Sequence, residues 1–147
     1  MKVTNITTKQ CKMSEVLELF KNITVYHPEL IYLGKNVSIN AYCVLAASRD
    51  SSIRIGDDTL LGPCIVISAA DHIYESKSML IRSQKHIIQP VAIGKDVWIA
   101  AGVIILRGSN IPDGCVIGAD SLVTRHNILE PYGVYVGNPL RQIKKRQ

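Results

Sequence analysis

Residues 91–124 read VAIGKDVWIAAGVIILRGSNIPDGCVIGADSLVT. Within this stretch Ile93, Ile99, Ile105, Ile111, Ile117 and Val123 recur every six positions, and Gly94, Ala100, Gly118 and Thr124 place a small residue directly after four of them. A helix repeats about every 3.6 residues and a half-buried strand every two, so neither sustains a period of six. A second apolar residue follows four places on, as in Val97 after Ile93, Val103 after Ile99 and Cys115 after Ile111. Such a unit is a short strand and a tight turn. Three units close a triangular coil, and coils stack at a strand spacing of about 4.8 Å, with the aliphatic column inside and small residues at the sharp corners.

Outward from this stretch, Leu33, Ile39 and Leu45 keep the same step, as do Ile55, Leu61 and Ile67. The hexads group into coils of eighteen residues at 33–50, 55–72, 93–110 and 111–128, with a partial coil around Ile23 to Ile31. The phase slips twice. Four residues are inserted near Arg49 to Arg54, and residues 73–92 fit no hexad, predicting a protruding loop that holds Tyr74, Glu75, Lys77, Arg82, Lys85 and His86. Interruptions of a regular scaffold are where function is carried. Ser14 is placed to cap a short helix through Phe20, and Asn138-Pro139 to start another over 140–145; both would cover open coil edges. The expected organisation is one all-β domain over 1–147, with an N-terminal cap (1–22), a β-helix (23–137) carrying the loop 73–92, and a C-terminal helix and tail (138–147).

Composition agrees with this reading. The chain has 147 residues, 47% hydrophobic and 20% charged, which suits one globular domain with a core and argues against disorder. Only 5% are aromatic, so the core is aliphatic. A formal net charge of +5 suits an anionic ligand but falls short of a nucleic-acid-binding stripe. No apolar run approaches the ~18 residues of a membrane span, and residues 1–12 lack the apolar core of a signal peptide, so a soluble cytoplasmic protein is expected. Cys11, Cys43, Cys64 and Cys115 form no C-x-x-C pair and read as small buried hydrophobes in a reducing compartment, the last three at core positions.

Asp71-His72 before the loop, Val91 to Ile99 after it, Val116 to Arg125, and Gly137-Asn138-Pro139 together resemble the hexapeptide-repeat acyltransferases over roughly Leu33 to Lys145. The likeness is to the galactoside, maltose and xenobiotic acetyltransferase branch, and most of all to small bacterial enzymes that acetylate surface-polysaccharide sugars. The resemblance implies a left-handed parallel β-helix, a hand that periodicity alone does not give, since the general crossover rule favours the right. It also implies a homotrimer with active sites between subunits, acetyl-CoA as acyl donor in a groove between coils, and no metal. A metal lyase of this fold would need three histidines, whereas His72, His86 and His126 are too widely spaced to form such a set.

By the same resemblance His72 is the general base, taking the proton from an acceptor hydroxyl or amine as it attacks the thioester. Imidazole suits the task because it is largely neutral yet basic at cellular pH. A backbone N–H around Ala100 or Ala101 would face the oxyanion. Trp98, Ala101 and Ala119 are the expected contacts along the donor, and Trp98 packing against a neighbouring subunit is the alternative for that residue. Thr124 and Arg125 belong near the nucleotide end, and Arg141 and Lys144, on the closing helix, face its phosphates. Asn40, Asp71 and His86 are the candidates for the acceptor, with Ser48 standing where the family has an acidic residue and Ile73, not proline, following His72. His27 and His126 read as surface residues. Because neighbouring side chains in a strand point apart, a backbone carbonyl or Glu75 is as good a candidate as Asp71 to orient His72. The expected reaction is O-acetylation of a sugar hydroxyl, with N-acetylation of an amino sugar and a non-catalytic β-helix interaction module as the alternatives.

Overall fold

An aliphatic residue every six positions can be buried only if the chain turns through a third of a circle at each step. In the computed structural model, which describes residues 22–147 and the short strands Thr4–Asn5, Lys12–Met13 and Glu18–Leu19, it does so, giving a triangular parallel β-helix with three sheets as its faces. The first face stacks Thr24–Tyr26, Val44–Ala46, Val66–Ser68, Ile104–Ile105 and Leu122–Val123, with Thr4–Asn5 antiparallel at its edge. The second stacks Lys12–Met13, Ile31–Leu33, Ile53–Ile55, Val91–Ile93 and Asn110–Ile111. The third stacks Glu18–Leu19, Ser38–Ile39, Leu60–Leu61, Trp98–Ile99, Val116–Ile117, Gly133–Val136 and Arg141–Lys145.

Register shows that the column survives both phase slips. Leu45 pairs with Ile67, Ile67 with Ile105, and Ile105 with Val123. On the second face Leu33, Ile55, Ile93 and Ile111 align, and on the third Ile39, Leu61, Ile99, Ile117 and Tyr135. All of these are buried. The two insertions are expelled from the ladder, so the coils above and below remain in contact.

Asn36, Asp58, Asp96, Gly114 and Tyr132 align at the corner between the second and third faces, with φ between 52° and 70°. Asn and Asp tolerate this left-handed region better than other side chains, and glycine adopts it freely. Aspartates beside this corner also satisfy backbone donors one coil away. The Lys35 N–H donates to Asp57 Oδ1 at 2.9 Å, and the Lys95 N–H to Asp113 Oδ1 at 2.8 Å. Lys95 Nζ lies 3.1 Å from Asp57 Oδ2.

The expected C-terminal helix over 140–145 is instead the strand Arg141–Lys145, antiparallel to Gly133–Val136. The strand at the end of the third face would otherwise leave its outer N–H and C=O groups unpaired. A returning strand supplies partners directly, which a helix laid across the edge does not. Asn138-Pro139, joined by a cis peptide, lies in the turn of this hairpin rather than at a helix start. Most of the segment expected as an N-terminal helix, 14–20, lies outside the described residues; Glu18–Leu19 within it is strand, paired with Ser38–Ile39. Cys11 also lies outside them. Cys43 and Cys115 are in the core, but Cys64 is exposed: it takes a corner position with φ 60°, and Ile65 fills the core place. Among the described residues no helix is long and apolar enough to cross a membrane.

Ile105→Ala should cost about 2–5 kcal/mol, because a fully buried residue of the first-face column leaves a cavity its neighbours cannot fill. A lowered urea midpoint measures it. The carboxyl of Asp57 is held below the usual range by the Lys35 N–H and then by Lys95. A depressed carboxylate contributes stability above its unfolded pKa and loses it as pH falls through the folded value. Asp57→Asn should therefore flatten the decline in stability below about pH 4, the ordinary carboxylate range, as read by thermal melts across an acid series.

Candidate active site

The chain leaves the helix at the end of a first-face strand. Ala69 is still buried and donates its N–H to the Ala46 carbonyl, the last body contact before the excursion. Where the coil would turn to the second face, Ala70–His72 instead pairs antiparallel with His86–Ile88. The loop expected over 73–92 is thus a hairpin that begins at Ala70 and places its two histidines opposite each other. The rings of His72 and His86 lie 4.3 Å apart, tilted by 45°. Farther out, the buried Gln84 side chain ties the loop to itself, accepting from the Ser76 N–H and donating to the Ser76 and Met79 carbonyls.

Between this hairpin and the trailing end of the first face is a cleft of about 370 Å³. Ala46, Ala47 and Ala70 give it an apolar floor, Ser48 and Ser68 contribute hydroxyls, and Tyr26, His27, Asp71, His72 and His86 complete its walls. His72 and His86 are exposed to it. His27, expected as a surface residue, is 35% exposed and stands on the rim of this cleft, one coil away. Its Nδ1 is 3.2 Å from Glu29 Oε1, and Glu29's carboxyl is held low by its backbone hydrogen bond and by His27. The signal was present in sequence, since His27 follows the strand Thr24–Tyr26 in phase with Ala47, but the first coil lacked a glycine to mark its frame. Glu75, one of the residues considered for orienting His72, is exposed and does not line the cleft. Among the described residues no three His, Cys, Asp or Glu side chains gather so as to hold a metal ion.

Asp71 also lines the cleft, but its carboxylate is engaged from below. Arg107, in the next coil and almost buried, brings its Nε within 2.7 Å of Asp71 Oδ2. The Nε–H does not point along that line, so the contact acts as a charge pair more than as an aligned hydrogen bond. Nη1 of the same guanidinium donates to Gln89 Oε1 at 2.6 Å. Sequence reading missed Arg107, which sits at an outward repeat position like any solvated cation; only the fold shows that the hairpin covers it.

The other expected residues lie elsewhere on the chain. Asn40 is at the corner between the third and first faces, where its Oδ1 accepts the Ala41 N–H at 2.8 Å. Trp98 stands outward on the third face, 53% exposed, between Leu60 and Val116. It lines a shallow cavity of about 260 Å³ with Asp96 and Arg146. The Ala100 N–H donates to the Ile117 carbonyl, whereas those of Ala101 and Ala119 have no acceptor among the described residues. Thr124 is used locally, its N–H and hydroxyl both reaching Asn127 Oδ1. Arg125 follows the last first-face strand, and Arg141 and Lys144 lie on the strand added to the third face. These three cations have no carboxylate partner among the described residues. Lys145 is paired with Glu130, raising its own pKa and lowering that of Glu130, and Arg146 is paired with Asp96. Within the single chain the histidine cleft is therefore apart from Asn40, Trp98, Ala101 and Ala119.

No family model matches the chain. A maltose O-acetyltransferase from Clostridium difficile 630 is 35% identical, with a TM-score of 0.74 over 95% of this chain and 68% of that one. A galactoside acetyltransferase solved in complex with coenzyme A is 28% identical, with a TM-score of 0.75 over 88% of this chain and 62% of that one. The galactoside O-acetyltransferase of Escherichia coli K12 is 32% identical over 115 residues, 78% of this chain and 54% of its own length. Against three curated relatives the chain spans 36%, 53% and 54% of their length. A six-residue period, in-register parallel coils and likeness over nearly the whole chain place it in the hexapeptide-repeat acetyltransferase family, of the galactoside and maltose O-acetyltransferase type, with that family's left-handed parallel β-helix.

Proposed function

We propose that the protein transfers the acetyl group of acetyl-CoA to a hydroxyl of a sugar, one destined for a surface polysaccharide, in the cytoplasm. The observation that carries this reading is the 370 Å³ cleft, in which an exposed imidazole on a projecting hairpin faces two serine hydroxyls and an apolar floor. His72 takes the proton of the acceptor hydroxyl as its oxygen bonds to the thioester carbonyl carbon. The N–H of Ala101, free of any partner among the described residues, faces the oxyanion; Ala100's is committed to the ladder. Collapse of the tetrahedral intermediate breaks the C–S bond, and the imidazolium returns its proton to the departing thiolate. Arg125, Arg141 and Lys144, without a carboxylate partner among the described residues, are suited to the donor's phosphates. His86, Asp71 and Asn40 face the acceptor side.

The working unit in this reading is a homotrimer. In register on the outside of the first face stand Val44, Val66, Ile104 and Leu122, and on the third Leu60, Trp98 and Val116. The second face presents Tyr32, Arg54, Ala92 and Asn110 instead. Two different apolar patches on one protomer are what a closed ring of identical subunits requires. An interface of this kind unites the histidine cleft of one chain with third-face residues of the next.

A thiol-release assay with acetyl-CoA and a panel of free sugars, nucleotide sugars and glycan fragments tests the reaction. His72→Ala should lower turnover about 10²-fold or more while acetyl-CoA binding by calorimetry persists; near-normal turnover removes His72 as the base, and no binding at millimolar acetyl-CoA removes the enzyme reading. Ile104→Asp puts a charge on the first-face patch, 42% exposed in the protomer, and should shift the trimer to monomer in analytical ultracentrifugation. A trimer that persists sinks the proposed interface.

A further inference from the structure

We propose that Arg107 is a positioning residue that clamps both legs of the hairpin to the helix body and thereby aims His72 into the cleft. The inference rests on the reading of His72 as the base and deepens it. Its grounds are the two contacts of one guanidinium. Nε lies 2.7 Å from Asp71 Oδ2 on the outgoing leg, and Nη1 donates to Gln89 Oε1 at 2.6 Å on the returning one. The Arg107 side chain is 10% exposed, and a cation so far removed from water needs partners that hold still. Apart from these contacts, the base of the hairpin is closed by the Gln89 N–H to the Ala69 carbonyl and joined to the body by the Ala69 N–H to the Ala46 carbonyl, the Ser68 hydroxyl to the Ala70 carbonyl and the Gly108 N–H to the Pro90 carbonyl, none of which reaches the Asp71 side chain.

Alternation along a strand turns this anchor into aim. Successive side chains point to opposite sides, so holding Asp71 down on Arg107 obliges His72 to point the other way. There its ring meets His86. A slip of one residue would exchange the two directions, turning the imidazole toward Arg107 and the carboxylate away from it. The turn beside Arg107 is built for the same fit. Gly108 has φ +74°, and a Cβ there would lie 2.9 Å from Gln89 Oε1 and 3.0 Å from Arg125 Cβ, so glycine leaves the Gln89 amide its place next to the guanidinium. A lysine would keep the charge but lacks the planar fork that reaches both legs from one head group.

Steady-state kinetics on the full chain test this, with acetyl-CoA affinity measured by calorimetry and folding by thermal melts. Arg107→Gln, Arg107→Lys and Asp71→Asn should each lower kcat about tenfold or more, the scale expected when a reacting group is displaced by about an ångström, while the KM and Kd for acetyl-CoA stay within about twofold. The double variant Arg107→Gln/Asp71→Asn should lose no more than the worse single one, because both remove the same contact. Gln89→Leu, which leaves the charge pair whole, provides a milder break in case Arg107→Gln does not fold, and should cost a few-fold in kcat alone. A kcat within twofold of wild type in folded Arg107→Gln, or in Gln89→Leu and Asp71→Asn together, overturns the clamp. So do losses that multiply, or donor affinity that falls in step with kcat. His72→Ala separates the two readings: an active His72→Ala defeats the base itself, whereas an inactive one beside a fully active Arg107→Gln defeats the clamp alone.

Discussion

Each inward aliphatic residue must meet its counterpart one coil above and one coil below, and that single demand governs where every other part of the chain can go. Stacked isoleucines exclude water only if the rungs stay in register, since a strand shifted by one residue would turn its apolar set outward. Extra residues therefore cannot be absorbed within a face. They are expelled at its end, between one strand and the next turn. Both insertions obey this: Arg49 to Ser52 leaves after Val44–Ala46, and the long hairpin leaves after Val66–Ser68. They leave on the same side of the helix, and the cleft forms where the long hairpin stands over the ends of the first-face strands, with Ser48 just before the short insertion and His72 on the hairpin. The position of the site is thus a consequence of the core.

How far the fold was legible follows from the same constraint. The period of six is a direct image of the buried column, so the faces, the coil boundaries and the two slips could be read from Leu33, Ile55, Ile93 and Ile111 alone. The closing segment could not. Asn138-Pro139 followed by basic residues carries a helix-start signal, but local signals do not register that the third face ends in an unpaired strand, which the chain satisfies by turning back. Cys64 misled for a related reason. It lies beside Ile65, and only one of two neighbouring apolar residues can point inward.

At the site, residues whose role depends on local chemistry were more legible than residues whose role depends on what covers them. His72 is marked by its place immediately before the slip. Ala101 and Ala119 were expected from the family resemblance, and the Ala100 N–H is spent in the ladder, which leaves Ala101 as the donor in the proposed reaction. His27 and Arg107 carry no such mark. His27 reaches the cleft through stacking of a coil whose frame the sequence barely defines, and Arg107 loses contact with water only because a hairpin that begins 37 positions earlier, at Ala70, folds over it.

The separation of the histidine cleft from the third-face residues has a physical origin too. A triangular helix of this width fills its interior with aliphatic side chains rather than with a place for a donor and an acceptor to meet. Chemistry is confined to the outer surface, where a single flat face excludes little water and offers few converging groups. Two such surfaces brought together do both. A hairpin that projects from the first face is exposed to solvent on a single chain, and in the proposed trimer its histidines would wall a site closed by a neighbour's apolar face. That is why a projecting element needs its own rigid attachment. The more of its imidazole it would offer to a partner surface, the less the helix core can hold it, and in the clamp proposed above the nearly buried Arg107 guanidinium, in contact with both legs, supplies that stiffness.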